Sequence, residues 1–198
     1  MTMATHPDLS AADAVPIHRV LHVGCGAAHP DKLPAAFFPA AAWREVRLDI
    51  DPDVAPDIVA SITGMPMVAS GSVQAVWSAH NMEHLASHEV PVALAEFHRV
   101  LAPGGFVLVT MPDLQQVAEL VAAGRLEEAA YMSAMGPIAA LDMLYGYRPA
   151  LAQGNVFMGH RTGFVACTLQ AHLEQAGFQD VHVQRDGQFA LWGSGVKA

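Results

Sequence analysis

The stretch RVLHVGCG, residues 19 to 26, constrains the fold of this chain more than any other. A short apolar run that stops abruptly at glycine reads as a buried strand followed by a tight turn. Glycine there lets the backbone approach a bound group through space that a Cβ would fill, and the amides beyond the strand can face it. A purely structural turn also fits. A dinucleotide fingerprint would want a third glycine, but Ala27, Ala28 and His29 follow Gly26, so that pattern is incomplete.

The pattern repeats downstream. Further strands are expected at 43–50 (WREVRLDI), 57–60, 72–78 (SVQAVWS) and 106–112 (FVLVTMP). Between them, 31–42 is helix-like but shortened by Pro34 and Pro39, while 89–101 is an amphipathic helix stopped by Pro103-Gly104-Gly105. Asp113 can cap a helix to about Ala123, with Gly124 as its stop. A helix is expected over 125–135, ending at Gly136-Pro137, and the stretch rich in Gly, Pro, Tyr and Met that follows makes 125–161 a substrate lid. Residues 164–176 read as the last helix. Strands 179–185 and 189–196 follow, around a two-residue Asp186-Gly187 turn.

This order predicts an α/β fold: a doubly wound, mostly parallel, seven-stranded Rossmann-like sheet with a C-terminal antiparallel hairpin. Residues 1–17 are expected to be a tail and 18–198 one domain, with ligands at the edge where strands run into helices.

Composition removes other classes. Only 15% of the 198 residues are charged and 53% are hydrophobic, which excludes a disordered chain. The net charge of -9 and the scattered cations argue against nucleic acid as a partner. No formal charge lies between Asp57 and Glu83, yet Ser61, Gly64, Pro66 and Gly71 interrupt the stretch, so a membrane span is rejected. Cys25 and Cys167 match no metal or disulfide spacing, and the N-terminus lacks a signal-peptide pattern; a cytoplasmic protein is expected.

Asp49 closes the second strand about 20 residues beyond the glycines, where a carboxylate can accept from ribose hydroxyls. Asp51 and Asp53 are alternatives, and turn chemistry around Pro52 is the structural one. Taken together, LHVGCG, RLDID, PDIVASITGMP, VQAVWSAHNMEHL and AEFHRVLAPGGFVLVTMPDL resemble the class I S-adenosylmethionine-dependent methyltransferases in order and spacing. The similarity is greatest to a small single-domain branch of unknown substrate, in which EHL follows strand four and RVLxPGG precedes strand five. It covers about residues 19–114, and AHLEQAGF with the final hairpin fits the family's ending.

The resemblance implies S-adenosylmethionine as cofactor, with Gly24, Cys25 and Gly26 against its methionine moiety, Asp49 on the ribose and Ile50 on the adenine. Ser61 and Ile62 match the loop that receives the adenine edge; Ser61 stands where an acid is usual. His80 matches a position near the methionine portion.

His80, Glu83 and His84 have the HxxEH spacing, which on a helix would put both histidines on one face, as in one class of zinc hydrolase. No downstream acidic ligand motif accompanies it, and no metal is expected. In the lid, Tyr131, Tyr145, Phe157 and Met158 are expected to wall an acceptor pocket together with His84, Asp142 and Arg161. His160 is the expected catalytic base because imidazole accepts protons near neutrality; with Arg161 it could instead anchor the next helix. Asp142 could equally tie to Arg148 or Arg161. The expected activity is methyl transfer to a small or medium-sized molecule, with a homodimer left open. A non-catalytic cofactor-binding module and an NAD-dependent oxidoreductase are the competing readings.

Overall fold

In the computed structural model, which describes residues 17–198, seven strands form one sheet in the order β3-β2-β1-β4-β5-β9-β8. β1 (His18–Val23), β2 (Trp43–Asp49), β3 (Ile58–Val59), β4 (Val73–Ala79) and β5 (Leu101–Pro112) are mutually parallel. α1 (Val90–Val100) precedes β5, and α2 (Leu114–Ala122) follows it, capped as expected by Asp113, whose side chain accepts from the Gln115 amide. After residues 125–161, the expected lid and hereafter the insert, α5 (Ala166–Gln175) leads to β8 (Gln179–Arg185) and β9 (Ala190–Val196). β9 runs antiparallel to both β5 and β8. The expected sheet and its antiparallel ending are both present.

Strand alternation, shifted on β4 by an irregularity between Val73 and Ala75, divides the core between two faces. On β4, Val73 and Val76 join the larger cluster with Leu94 and Phe97 of α1 and Leu169 and Leu173 of α5, while Ala75 and Trp77 face Val20, Phe38 and Leu108. The second face is closed without a long helix. The expected helix over 31–42 is replaced by a short 3-10 turn, Pro30–Lys32, and a series of turns. Pro30, Pro34 and Pro39 withhold the amides an α-helix would need, and Phe38, packed against Trp43, Trp77 and Phe106, fills the space instead.

The insert departs further from expectation. Residues 129–139 hold a hairpin, β6 (Ala129–Ser133) and β7 (Gly136–Ala139), whose first strand falls where a helix was predicted. Alanine-rich sequence favours helix locally, but the hairpin packs Ala130, Tyr131 and Ile138 against Val117, Ala140 and Met143, and burial outweighs propensity. α3 (Ala140–Tyr145) and α4 (Arg148–Ala152) complete the insert. The β8–β9 turn is also longer than two residues: Asp186 accepts from the amides of Gln188 and Ala190, and Phe189 takes φ +63°. The expected 1–17 tail lies almost entirely outside the described residues. Among those described, no helix is long and apolar enough to cross a membrane.

Candidate functional site

The C-terminal ends of β1, β2 and β4 open onto a cleft of about 480 Å³. Gly24 and Gly26 sit at φ +61° and +58° on its floor, where glycine adopts the left-handed region without strain. A Cβ on Gly24 would run into the Asn81 carboxamide, and one on Gly26 would meet Lys32 Nζ at 2.6 Å. Cys25 turns inward and is buried, so only its backbone belongs to the turn; burial pushes its thiol pKa up.

Asp49 accepts from the Gly26 amide at 2.7 Å through Oδ2 and from the Asp51 amide at 3.0 Å through Oδ1, and it lines the cleft. The carboxylate therefore ties β2 to the glycine turn and keeps lone pairs for a ligand. Arg47 reinforces the turn, donating to the Gly26 carbonyl, and Lys32 donates to the Cys25 carbonyl. Ile50 is half exposed on the cleft wall, and Ser61 and Ile62 form the far side. The loop that carries them is held by Glu96, which accepts from the Met65 amide, and by Arg99, which donates to the carbonyls of Met65 and Val68.

The insert supplies the remaining wall: Phe157, Met158, Gly159 and Arg161 line this cleft, not a separate acceptor pocket. Its anchor is the backbone of Glu83, whose carbonyl accepts from the amides of Arg161 and Thr162 at 2.9 and 3.2 Å. Tyr131 lines a second cavity of about 230 Å³ with Thr110, Met143, Asp186, Phe189 and Trp192. Tyr145 and Asp142 line neither cavity. Tyr145 is exposed, and Asp142 is a buried tie whose oxygens accept from the Ala139 amide and from Arg148, which holds its carboxyl below the usual range despite burial.

HNMEH does not form an α-helix. His80 sits at φ +47°, its amide bonded to the Thr110 carbonyl, and only a 3-10 turn, Met82–His84, follows. His80 consequently lines both cavities. Beneath it Glu83 is buried, with Oε1 3.4 Å from His80 Nδ1 and no closer hydrogen-bond partner for either oxygen. Loss of solvation opposes both charges, though the His80 ring keeps an exposed edge, but the mutual contact raises the His80 pKa and lowers that of Glu83.

His160 lines neither cavity. Its Nδ1 bonds the Met143 carbonyl at 2.9 Å, its ring packs edge-on against His84 with centroids 4.9 Å apart, and burial lowers its pKa. Glu83, His84 and His160 each bring one potential ligand atom within 4.8 Å of the others. His84, however, turns both ring nitrogens to carbonyls, Nδ1 to Gly159 and Nε2 to His80, so the set lacks a complete array of free lone pairs.

Asn81, Leu85 and Glu89 also line the cleft, unforeseen from the sequence. Asn81 Nδ2 is buried without a partner and sits against Gly24. Its adjacency to His80 was the available signal, but the turn that aims it is visible only in three dimensions.

The parallel order of the sheet thus brings the glycine turn after β1 and the acid that closes β2 to one cleft. Residues 21–109 match the family model described as the methyltransferase domain. No curated protein matches the chain. Among solved structures, an S-adenosylmethionine-dependent methyltransferase from Archaeoglobus fulgidus is similar at 14% identity and TM-score 0.58, over 93% of this chain and 88% of that one. A second is the Burkholderia thailandensis 1,6-didemethyltoxoflavin-N1-methyltransferase, with bound 1,6-didemethyltoxoflavin and S-adenosylhomocysteine, at 14% identity and TM-score 0.57, over 92% and 72%. A third belongs to the complex between the Haloferax volcanii Trm112 methyltransferase activator and a methyltransferase, at 14% identity and TM-score 0.57, over 93% and 84%. The domain match covers residues 21–109, and the strand order around it is that of the methyltransferase fold.

Proposed function

We propose that this chain transfers the methyl group of S-adenosylmethionine, bound in the larger cleft, to a small acceptor in the second cavity. The observation that carries the reading is His80, which lines both spaces at the end of β4. The residues present fit the cofactor. Gly24 and Gly26 leave a cradle that a Cβ would fill, Asn81 Nδ2 is a buried donor without a partner, and Asp49 offers a carboxylate to ribose hydroxyls. Half-exposed Ile50 gives the adenine an apolar surface, while the Ser61 hydroxyl, paired with Thr63, and the Ile62 backbone stand at its edge.

The cofactor supplies an activated methyl on a good leaving group, so holding the acceptor in line provides most of the acceleration. The protein's part is orientation and exclusion of water. Tyr131, Phe189 and Trp192 would flank the acceptor, and Phe157 and Met158 would cover the cofactor. His160, the base expected from the sequence, stands outside both spaces and is better suited to supporting the insert through Met143.

Calorimetry with S-adenosylmethionine, S-adenosylhomocysteine and NAD tests the cofactor assignment. Binding of both sulfur ligands without NAD is expected; tight NAD binding with no response to either would overturn it. Turnover against a panel of one-ring acceptors then distinguishes an enzyme from a non-catalytic cofactor-binding module.

A further inference from the structure

We propose that His80, poised by the buried Glu83, takes the proton from the methyl acceptor, so that the acceptor class is a hydroxyl or ammonium group on a body about one ring in size. This rests on the reading above. Three observations converge on His80. It lines both the cofactor cleft and the second cavity. Its backbone is held at φ +47° by the bond from its amide to Thr110, a conformation that non-glycine residues seldom adopt and that is enriched at functional sites. Its Nδ1 is turned to Glu83, which leaves Nε2 as the free nitrogen.

Glu83 is the unusual partner. Its side chain is 2% exposed, and neither oxygen has a hydrogen-bond partner at close geometry, a costly state unless the charge has a use. A carboxylate behind Nδ1 fixes the tautomer that donates to it and stabilises the imidazolium formed when Nε2 accepts a proton. The 3.4 Å separation is long, as such contacts often are before a ligand closes the site. The groups that bear on His80 are Glu83 beneath it, His84 on the same turn, His160 on the insert, Asp186 on the β8–β9 turn and Tyr131 on β6. The two acids favour the protonated ring; Tyr131, whose pKa is raised by burial and then by the charges of Asp186 and Asp142, stays neutral.

A nucleophile that carries no proton has no need of this pair. The acceptor heteroatom gives its proton to His80 Nε2 and bonds to the methyl carbon as the carbon–sulfur bond breaks, with that pair remaining on sulfur. The proton then leaves to water from the His80 ring, which is 56% exposed. The second cavity sets the acceptor's shape. At about 230 Å³ it takes one ring, its walls include Tyr131, Phe189 and Trp192, and the buried Thr110 hydroxyl has no partner within the protein.

Two readouts on the full chain saturated with S-adenosylhomocysteine test this. By NMR, His80 should titrate above the ordinary imidazole value of about 6.5. Glu83→Gln, which keeps the buried shape, should lower its proton affinity at least tenfold, while His160→Gln should leave it above that value. A wild-type midpoint at or below the ordinary value, or one unmoved by Glu83→Gln, overturns the proposal. Second, 4-nitrophenol should bind and show its phenolate absorption at a pH where the free probe is protonated. His80→Gln should abolish that signal. No binding of the probe overturns the acceptor class, and an identical spectrum in His80→Gln overturns the role of His80. Failure of S-adenosylhomocysteine itself to bind would instead sink the methyltransferase reading.

Discussion

Replacing Asp49 by alanine separates the two tasks assigned to this carboxylate. It accepts two backbone bonds, from Gly26 at 2.7 Å and Asp51 at 3.0 Å. Both amides belong to turns at the rim of an open cleft, so water can replace the lost acceptor and the cost to folding should be about 1 kcal/mol. The cost to cofactor binding should be larger. A ribose hydroxyl bonded to a charged acceptor is worth about 1.5–3 kcal/mol, which converts to roughly 10- to 150-fold in affinity at about 1.4 kcal/mol per decade. Asp51→Ala serves as the control, since Asp51 lines the same cleft but caps the turn at Asp53. Calorimetry with S-adenosylhomocysteine, beside chemical denaturation of each variant, reads both quantities. Asp49→Ala binding within twofold of wild type would refute the ribose assignment. Equal weakening in Asp51→Ala would show that the cleft's general charge matters and not this position.

Gly24→Ala should weaken cofactor binding at least tenfold by the same calorimetry, because its Cβ collides with Asn81 and φ +61° is strained for alanine. Asp142→Ala should lower stability by about 1 kcal/mol through loss of its bond to the Ala139 amide at the start of α3, yet leave cofactor affinity unchanged; thermal unfolding and calorimetry check the two halves. Stability should also fall as pH drops from 8 toward 5.5. His22, His98 and His160 have pKa values lowered chiefly by burial, so the unfolded chain binds more protons through the imidazole range. His80, raised, contributes the opposite sign: its share is present below its unfolded value and lost as pH rises through its folded one. The expected slope is the one set by the three buried imidazoles, destabilising on acidification, and urea midpoints that rise toward pH 5.5 would contradict it.

The sheet was legible because its signals are local. Each buried strand is a short apolar run between turn residues, and β1 and β4 show this in RVLHVG and SVQAVWS without reference to the rest of the chain. The insert was not legible, because alanine-rich sequence over 125–135 carries helical propensity while its hairpin depends on partners in α2 and α3. Proline content hinted that 31–42 could not hold a long helix, but not that Phe38 would take its place in the aromatic cluster.

Residue types within the site divide the same way. Gly24, Gly26 and Asp49 could be placed at the strand ends that open on the cleft from the sequence alone, because backbone freedom and position at a strand end are both readable along the chain. His80, Glu83 and His160 could not be sorted by spacing. Whether HNMEH is helix or turn, and which imidazole meets a cavity, follows from the bond of the His80 amide to Thr110 on β5 and from the insert hung on the Glu83 carbonyl. Those contacts join His80 to Thr110 and Glu83 to Arg161, residues far apart in sequence, and only the packing of their elements brings them together.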